Sequence, residues 1–289
     1  MSWEKAGKIS AEVLAYGKKL AVPGVRLYEL AEKIEKKIES LGGKVAFPAN
    51  LSLNHIAAHY TPLPNDEAVL GEEDILKIDV GAQVNGFIGD TALTIGPNKE
   101  LIKASEEALK EAIKIATPGT EVRAIGKVIS ETIRSFGFSP IANLSGHQLG
   151  KYILHAGITI PNYDNGDRTV LKEGQVIAIE PFATDGEGAV KDGKPSGIYR
   201  LDKLSTPRHL MARKVLQFIK EEYQTLPFSK RAIIRKFPSG TFALLMLEKS
   251  GIIYQYNQLP ERSKGLVSQA EHTIMVKDNP IVLTKRREE

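Results

Sequence analysis

Hydrophobic positions along the chain follow two different spacings, and the switches between them outline the fold. Residues 2 to 41 are amphipathic at helical spacing and are interrupted by Pro23-Gly24, which predicts two helices. "KVAFPANLSLNHIAAHYTP" reads as extended structure ending at Thr61-Pro62. "ILKIDVGAQVNGFIGDTALTI", residues 75 to 95, is apolar and extended on both sides of Asn85-Gly86, the dipeptide of a two-residue type I′ hairpin turn. Residues 98 to 116 and 120 to 137 return to helical spacing, with "TPGT" between them. From residue 140 the layout repeats. "LSGHQLGKYILHAGITIPNY" is a His-bearing extended stretch like "LSLNHIAAHYTP", and "LKEGQVIAIEPF" echoes "LGEEDILKIDVG". Two helices and an acid-tipped sheet, occurring twice, predict an α+β core of pseudo-twofold halves with its site on the symmetry axis. Residues 190 to 260 break the repeat and read as a helical insertion, and "LVSQAEHTIMVKDNPIVLT" ends the chain in strands.

Against this apolar background, Asp79 and Asp90 are out of place. Aspartate is among the poorest strand formers, and an unpaired buried carboxylate costs several kcal/mol or becomes protonated. With Val84 facing Phe87 across the turn, Asp79 lies opposite Ala92 and Asp90 opposite Gly81. The two carboxylates are then diagonal neighbours on one face, their Cα atoms roughly 7–8 Å apart. Two like charges at that spacing call for a cation between them. Glu180 and Glu271 sit in apolar strands in the same way, and His147 lies in the glycine-flanked "SGHQLG".

Composition narrows the chemistry. The 289 residues are 42% hydrophobic and 26% charged, which is ordinary for a globular protein. There is no cysteine, so thiolate metal sites, disulfides and a cysteine nucleophile are excluded. A metal here needs oxygen and imidazole ligands, which suit manganese, iron, cobalt or zinc. The N-terminus lacks the apolar core of a signal peptide and no run reaches the length of a membrane span, so a cytoplasmic protein is expected. The net charge of +4 is concentrated in residues 194 to 236, with eleven Lys/Arg against three Asp/Glu, read as an outward-facing basic surface.

Four carboxylates and one imidazole are the ligand set of a two-metal hydrolytic site. Together with their neighbours, "KIDVGAQVNGFIGDTALT", "GHQLGKYILHAGITIPN", "IAIEPFA" and "AEHTIMV" resemble, in order and spacing, the pita-bread (creatinase/aminopeptidase) metallopeptidases. "FPANLSLNHIAAHYTP" and the insertion make the chain similar to the type II methionine aminopeptidase branch, in its short archaeal form. The resemblance covers essentially residues 1–289 and implies a single catalytic pita-bread domain with a helical insertion subdomain at approximately 190–260. It implies that Asp79 binds one of two divalent ions through both oxygens, that Asp90 and Glu271 bridge them, and that His147 and Glu180 complete the second site. It further implies that Glu180 shuttles the proton, that His155 stabilises the oxyanion, and that His59 contacts the peptide near the scissile nitrogen. Phe47 matches a wall of the methionine pocket, and the segment at Pro227 and Phe228 would close it. The implied activity is removal of the initiator methionine from nascent chains when the second residue is small. The implied protein is a monomer, and the basic block is expected to give weak contact with the ribosome.

The remaining histidines are expected to be structural. His272 points away from Glu271, His55 lies in an extended segment, and His209 has no evident partner. Proline-directed relatives carry a separate N-terminal domain, whereas here the hairpin begins at Ile75. Binding-only relatives lose ligand residues, and all five are present.

Overall fold

The computed structural model describes residues 2–285. Helices α1 (Ser2–Leu20) and α2 (Leu27–Ser40) cover a three-stranded antiparallel sheet of Lys44–Leu53, Leu76–Val84 and Phe87–Ile95, with Leu76–Val84 central. Asn85 and Gly86 take φ of 53° and 85°, as a type I′ turn requires. The turn sets the expected pairing, Asp79 to Ala92 and Gly81 to Asp90. Leu14, Leu30 and Ile34 of the helices bury against Ile78 and Val80 of the sheet.

The second half repeats the plan. Helices α3 (Lys99–Lys114) and α4 (Val122–Ser135) bury Leu101 and Leu109 of the first and Ile125, Ile129 and Ile133 of the second against Ile177, Ile179 and Ile274. Their main sheet is antiparallel throughout, in the order Ile281–Val282, His272–Met275, Val176–Ile179, Ser145–Gln148, Thr159–Pro161.

The halves meet edge to edge. Glu271 donates its N–H to Ala92 O (3.1 Å) and accepts from Ala92 N (3.4 Å). Threonine hydroxyls, each able to donate and accept, carry the seam further. Thr273 Oγ1 donates to Asp90 O (2.7 Å) and accepts from Asp90 N (2.8 Å), while Thr94 Oγ1 does the same with Gln269 O and N.

Residues 195 to 257 build a unit with its own core, including Val215, Ile219, Leu244 and Ile253. It contains α5 (Leu210–Glu222), α6 (Lys230–Lys236) and α7 (Gly240–Lys249). A sheet of Phe228–Ser229, Pro195–Leu201 and Ile253–Asn257 ties it together. The strand "PSGIYRL" opens on proline and is too short to show a period, and a two-residue strand shows none.

Two expectations for this unit need correction. Phe228 does not reach the pocket: it is 1% exposed and stacks on Tyr223 and Tyr199 inside the unit's core, so that of this pair only Pro227 faces inward. The basic block is also not uniformly outward. Arg231 is 2% exposed and joins three segments. Its Nε and Nη2 donate to Glu32 and Glu35 of α2, and its Nη1 donates to Pro62 O (2.6 Å) and Thr61 Oγ1 (3.2 Å). Glu35 in turn accepts from Ala49 N in the first strand (3.2 Å). Burial pushes the Glu35 carboxyl above its ordinary range even with Arg231 beside it, so desolvation outweighs the attraction.

Removing one partner from such a buried pair strands the other, at a cost of about 3–5 kcal/mol. Arg231→Met should therefore lower the unfolding free energy by about 3 kcal/mol or more in denaturant titration. Arg231→Met combined with Glu35→Gln should cost less than the sum of the single changes. A wild-type midpoint for Arg231→Met would mean that the network contributes nothing.

Candidate metal centre

Cross-strand pairing puts the acidic residues in a row. Directly opposed residues in an antiparallel ladder share a face. The pairs Asn50–Asp79, Asp79–Ala92 and Ala92–Glu271 therefore align four side chains across four strands. The pairing of His272 with Ile179 brings Glu271 opposite Glu180, one step on. Asp90 joins the same face two residues before Ala92. His147 pairs with Ala178, two residues before Glu180, and so joins it as well. Ala92, at the centre of the row, is the small side chain that leaves space for the convergence.

All eight candidate residues line one cavity of ≈ 210 Å³: Phe47, His59, Asp79, Asp90, His147, His155, Glu180 and Glu271. Donor atoms of Asp90, His147 and Glu271 lie within 4.8 Å of one another. His147 Nε2 is 3.7 Å from both Asp90 Oδ2 and Glu180 Oε1. Gly81 makes room for the aromatic wall, since a Cβ there would sit 2.2 Å from the Phe47 ring.

The electrostatics are those of a site short of positive charge. Burial pushes the Asp79 carboxyl up to about 7. Asp90, Glu180 and Glu271 are raised well above the usual carboxylate range, first by burial and then by the charge of neighbouring carboxylates, Asp79 among them in each case. Among the described residues no Lys or Arg pairs with any of the four; buried Lys77, two residues from Asp79, instead donates to Asn54 O (2.6 Å). Asp79 Oδ1 and Glu271 Oε2 are buried with no hydrogen-bond partner. Orphaned acceptors, crowded carboxylates and an imidazole nitrogen aimed among them fit divalent cations.

Both flanking histidines are held neutral. His59 takes a left-handed φ of 64° and faces Asn257 O through Nδ1 (3.2 Å). A carbonyl only accepts, so Nδ1 carries the proton and Nε2 is left as an acceptor. Burial lowers the His59 pKa to about 4. The His155 ring lies 4.3 Å from that of His147, and burial lowers its pKa with help from Arg200, a member of the basic block that therefore acts near the site.

The other histidines lie elsewhere. His272 Nδ1 meets Thr284 Oγ1 (2.9 Å) on the opposite face, and the carbonyl of His55 receives Glu261 N. His209, expected to be unpartnered, caps α5 by accepting from Met211 N (3.2 Å) and contacts the Phe242 ring. Two site residues were missed in the sequence. Gln269 donates to Glu180 Oε2 (3.3 Å) and hydrogen-bonds Asp79. Its position two residues before Glu271, hence on the same face, was the available signal. Asn50, beside Asp79, had none.

A carboxylate–imidazole cavity on the seam of two matched αβ halves is the architecture of a metal-dependent hydrolase. Residues 2–277 match the model of metallopeptidase family M24, and the chain belongs to that family. It is 50% identical over 286 residues to the methionine aminopeptidase of Pyrococcus horikoshii, covering 97% of each chain. It is 45% identical to that of Methanocaldococcus jannaschii, covering 98% of this chain and 97% of the other. The fold also matches the solved methionine aminopeptidase of Thermotoga maritima, with TM-score 0.72, 25% identity and coverage of 99% and 96%. A thermophilic Arx1 is similar in fold alone, with TM-score 0.85, 19% identity and coverage of 98% and 89%. Among the described residues no helix is long and apolar enough to cross a membrane.

Carboxylates held protonated must ionise to bind a cation, so loading should release protons and apparent affinity should rise with pH through about 7. Calorimetry of Mn²⁺ binding in two buffers of different ionisation enthalpy measures the release, and zero release would mean carboxylates already ionised. The sign for the metal-free protein is opposite. Asp79 stabilises the fold fully below its ordinary 3.8, and that contribution is lost as pH rises through about 7.

Proposed function

We infer that the protein is a metal-dependent aminopeptidase that hydrolyses the N-terminal methionine from nascent polypeptides. The observation that carries this reading is the cavity itself. It sets the apolar walls Phe47, Ile198 and Pro227, suited to an unbranched thioether, directly beside the cluster of Asp79, Asp90, His147, Glu180 and Glu271. The near full-length likeness to methionine aminopeptidases supports the same substrate. A small second residue is preferred because a bulky one next to the cut meets the pocket rim.

Asp79 would hold one of two divalent ions, Asp90 and Glu271 would be shared, and His147 with Glu180 would complete the second position. Cobalt, manganese, iron or zinc all suit this oxygen and nitrogen set. When bound, such ions polarise the scissile carbonyl and lower the pKa of an attacking water. The protein's own groups do the rest. Glu180 takes the proton from that water and hands it to the leaving amine. Gln269 fixes the Glu180 carboxyl in place. His155, neutral, donates its ring N–H to the oxygen on which negative charge develops. His59 presents Nε2 near the scissile nitrogen. We read the enzyme as cytoplasmic, where growing chains are made, and as a monomer. Exposed Lys203, Arg208 and Lys214 would give it weak, salt-sensitive contact with ribosomal RNA.

Release of methionine from a Met-Ala-Ser peptide tests the reading. EDTA should abolish it and Co²⁺ or Mn²⁺ should restore it, with the fold retained throughout. If metal-loaded protein releases none from any Met-Ala or Met-Gly peptide, the catalytic reading falls. Asp90→Ala should lose both activity and metal. His155→Ala should keep its metal and lose about 10²–10³ in kcat, the scale for one oxyanion donor. Metal loss in His155→Ala would instead make it a ligand.

A further inference from the structure

Asn50 is a polar neighbour of the acidic row that the mechanism above leaves unused. It is 4% exposed and lines the cavity. Its Nδ2 donates to Pro48 O (2.8 Å), while its Oδ1 is buried with no hydrogen-bond partner. That donor bond fixes which way the amide faces. Turning it over would set Oδ1 against a carbonyl oxygen, so the acceptor is held away from Pro48.

The local backbone is shaped to deliver this side chain. Residues 47 and 50 are three apart, so a regular strand would send them to opposite faces. Both line the cavity, because the pairing with the next strand shifts between Phe47 and Asn50. The irregularity thus puts an aromatic wall and an orphaned acceptor on the same side. Asn50 is the direct cross-strand partner of Asp79, which places its amide beside the carboxylate at the end of the row.

We propose that Asn50 is a substrate-binding residue whose Oδ1 accepts a hydrogen bond from the α-amino group of the N-terminal methionine. This rests on the aminopeptidase reading. The ligand must bring an N–H donor to satisfy the orphaned oxygen, and the thioether side chain has none. The α-amino group has N–H bonds in either protonation state, and it sits on the carbon next to the scissile carbonyl, so it must lie at the same end of the cavity as the carboxylate cluster. Asn50 would then help to distinguish a free amino terminus from a blocked one, a selection that the apolar pocket cannot make.

Two ligands that differ only in the amino group test this: methioninamide and 4-(methylthio)butanamide. Their binding to Mn²⁺-loaded protein is measured by calorimetry, which needs no turnover and so stands apart from the catalytic reading. In Asn50→Ala, methioninamide should weaken about ten- to a hundredfold, as for loss of one hydrogen bond to a charged group, while the desamino compound changes less than about twofold. Metal content should be unchanged. Equal weakening of both ligands, no weakening, or loss of metal would overturn the proposal. Should Asn50→Ala fold poorly, a crystal structure of the wild-type protein with methioninamide decides. An amino nitrogen within about 3.2 Å of Asn50 Oδ1 supports the assignment, and one beyond hydrogen-bond reach overturns it.

Discussion

Four carboxylates converge in one desolvated cavity, and much of the molecule is arranged to keep them there. Left to themselves they hold protons, because burial and mutual repulsion both disfavour charge. The convergence cannot come from one sheet. Asp79 and Asp90 belong to the first half, Glu180 and His147 to the second, and Glu271, just before the strand His272–Met275, bridges to Ala92 between them. The seam is accordingly held by backbone and threonine bonds that alternate along it. The paired helices behind each sheet bury enough apolar surface to hold an arrangement that the acidic face alone would drive apart.

Much of this was legible in the sequence because it was written in short-range rules. Asn85-Gly86 dictates its turn, the turn dictates which residues face each other, and an aspartate amid Val, Ile and Ala is conspicuous against the alternation. The same holds for Glu180, Glu271 and the glycine-flanked His147. The helix pairs were marked by Pro-Gly and Pro-Gly-Thr breaks. What stayed hidden depends on distant contacts. Nothing local distinguishes Arg231 from the other cations of its block; it is buried because Glu32 and Glu35, 199 and 196 residues away, reach it. Phe228 and Pro227 are adjacent and apolar, and only the insertion's short sheet decides which of them turns inward. Asn50 is cavity-facing through a pairing irregularity that no side-chain pattern announces.

The Arg231 network also bears on how the enzyme works in time. The guanidinium ties together three segments beside the pocket: α6, which follows Pro227; the turn after His59; and, through Glu35 and Ala49, the strand of Phe47 and Asn50. To swing the insertion aside would break several charge-assisted bonds at once in a place water does not reach. The network thus anchors the insertion to the first half as a wall of the pocket. With that wall anchored, selectivity would come from fit to a standing shape. The trade is adaptability: a side chain that does not match the cavity finds no second conformation waiting to receive it.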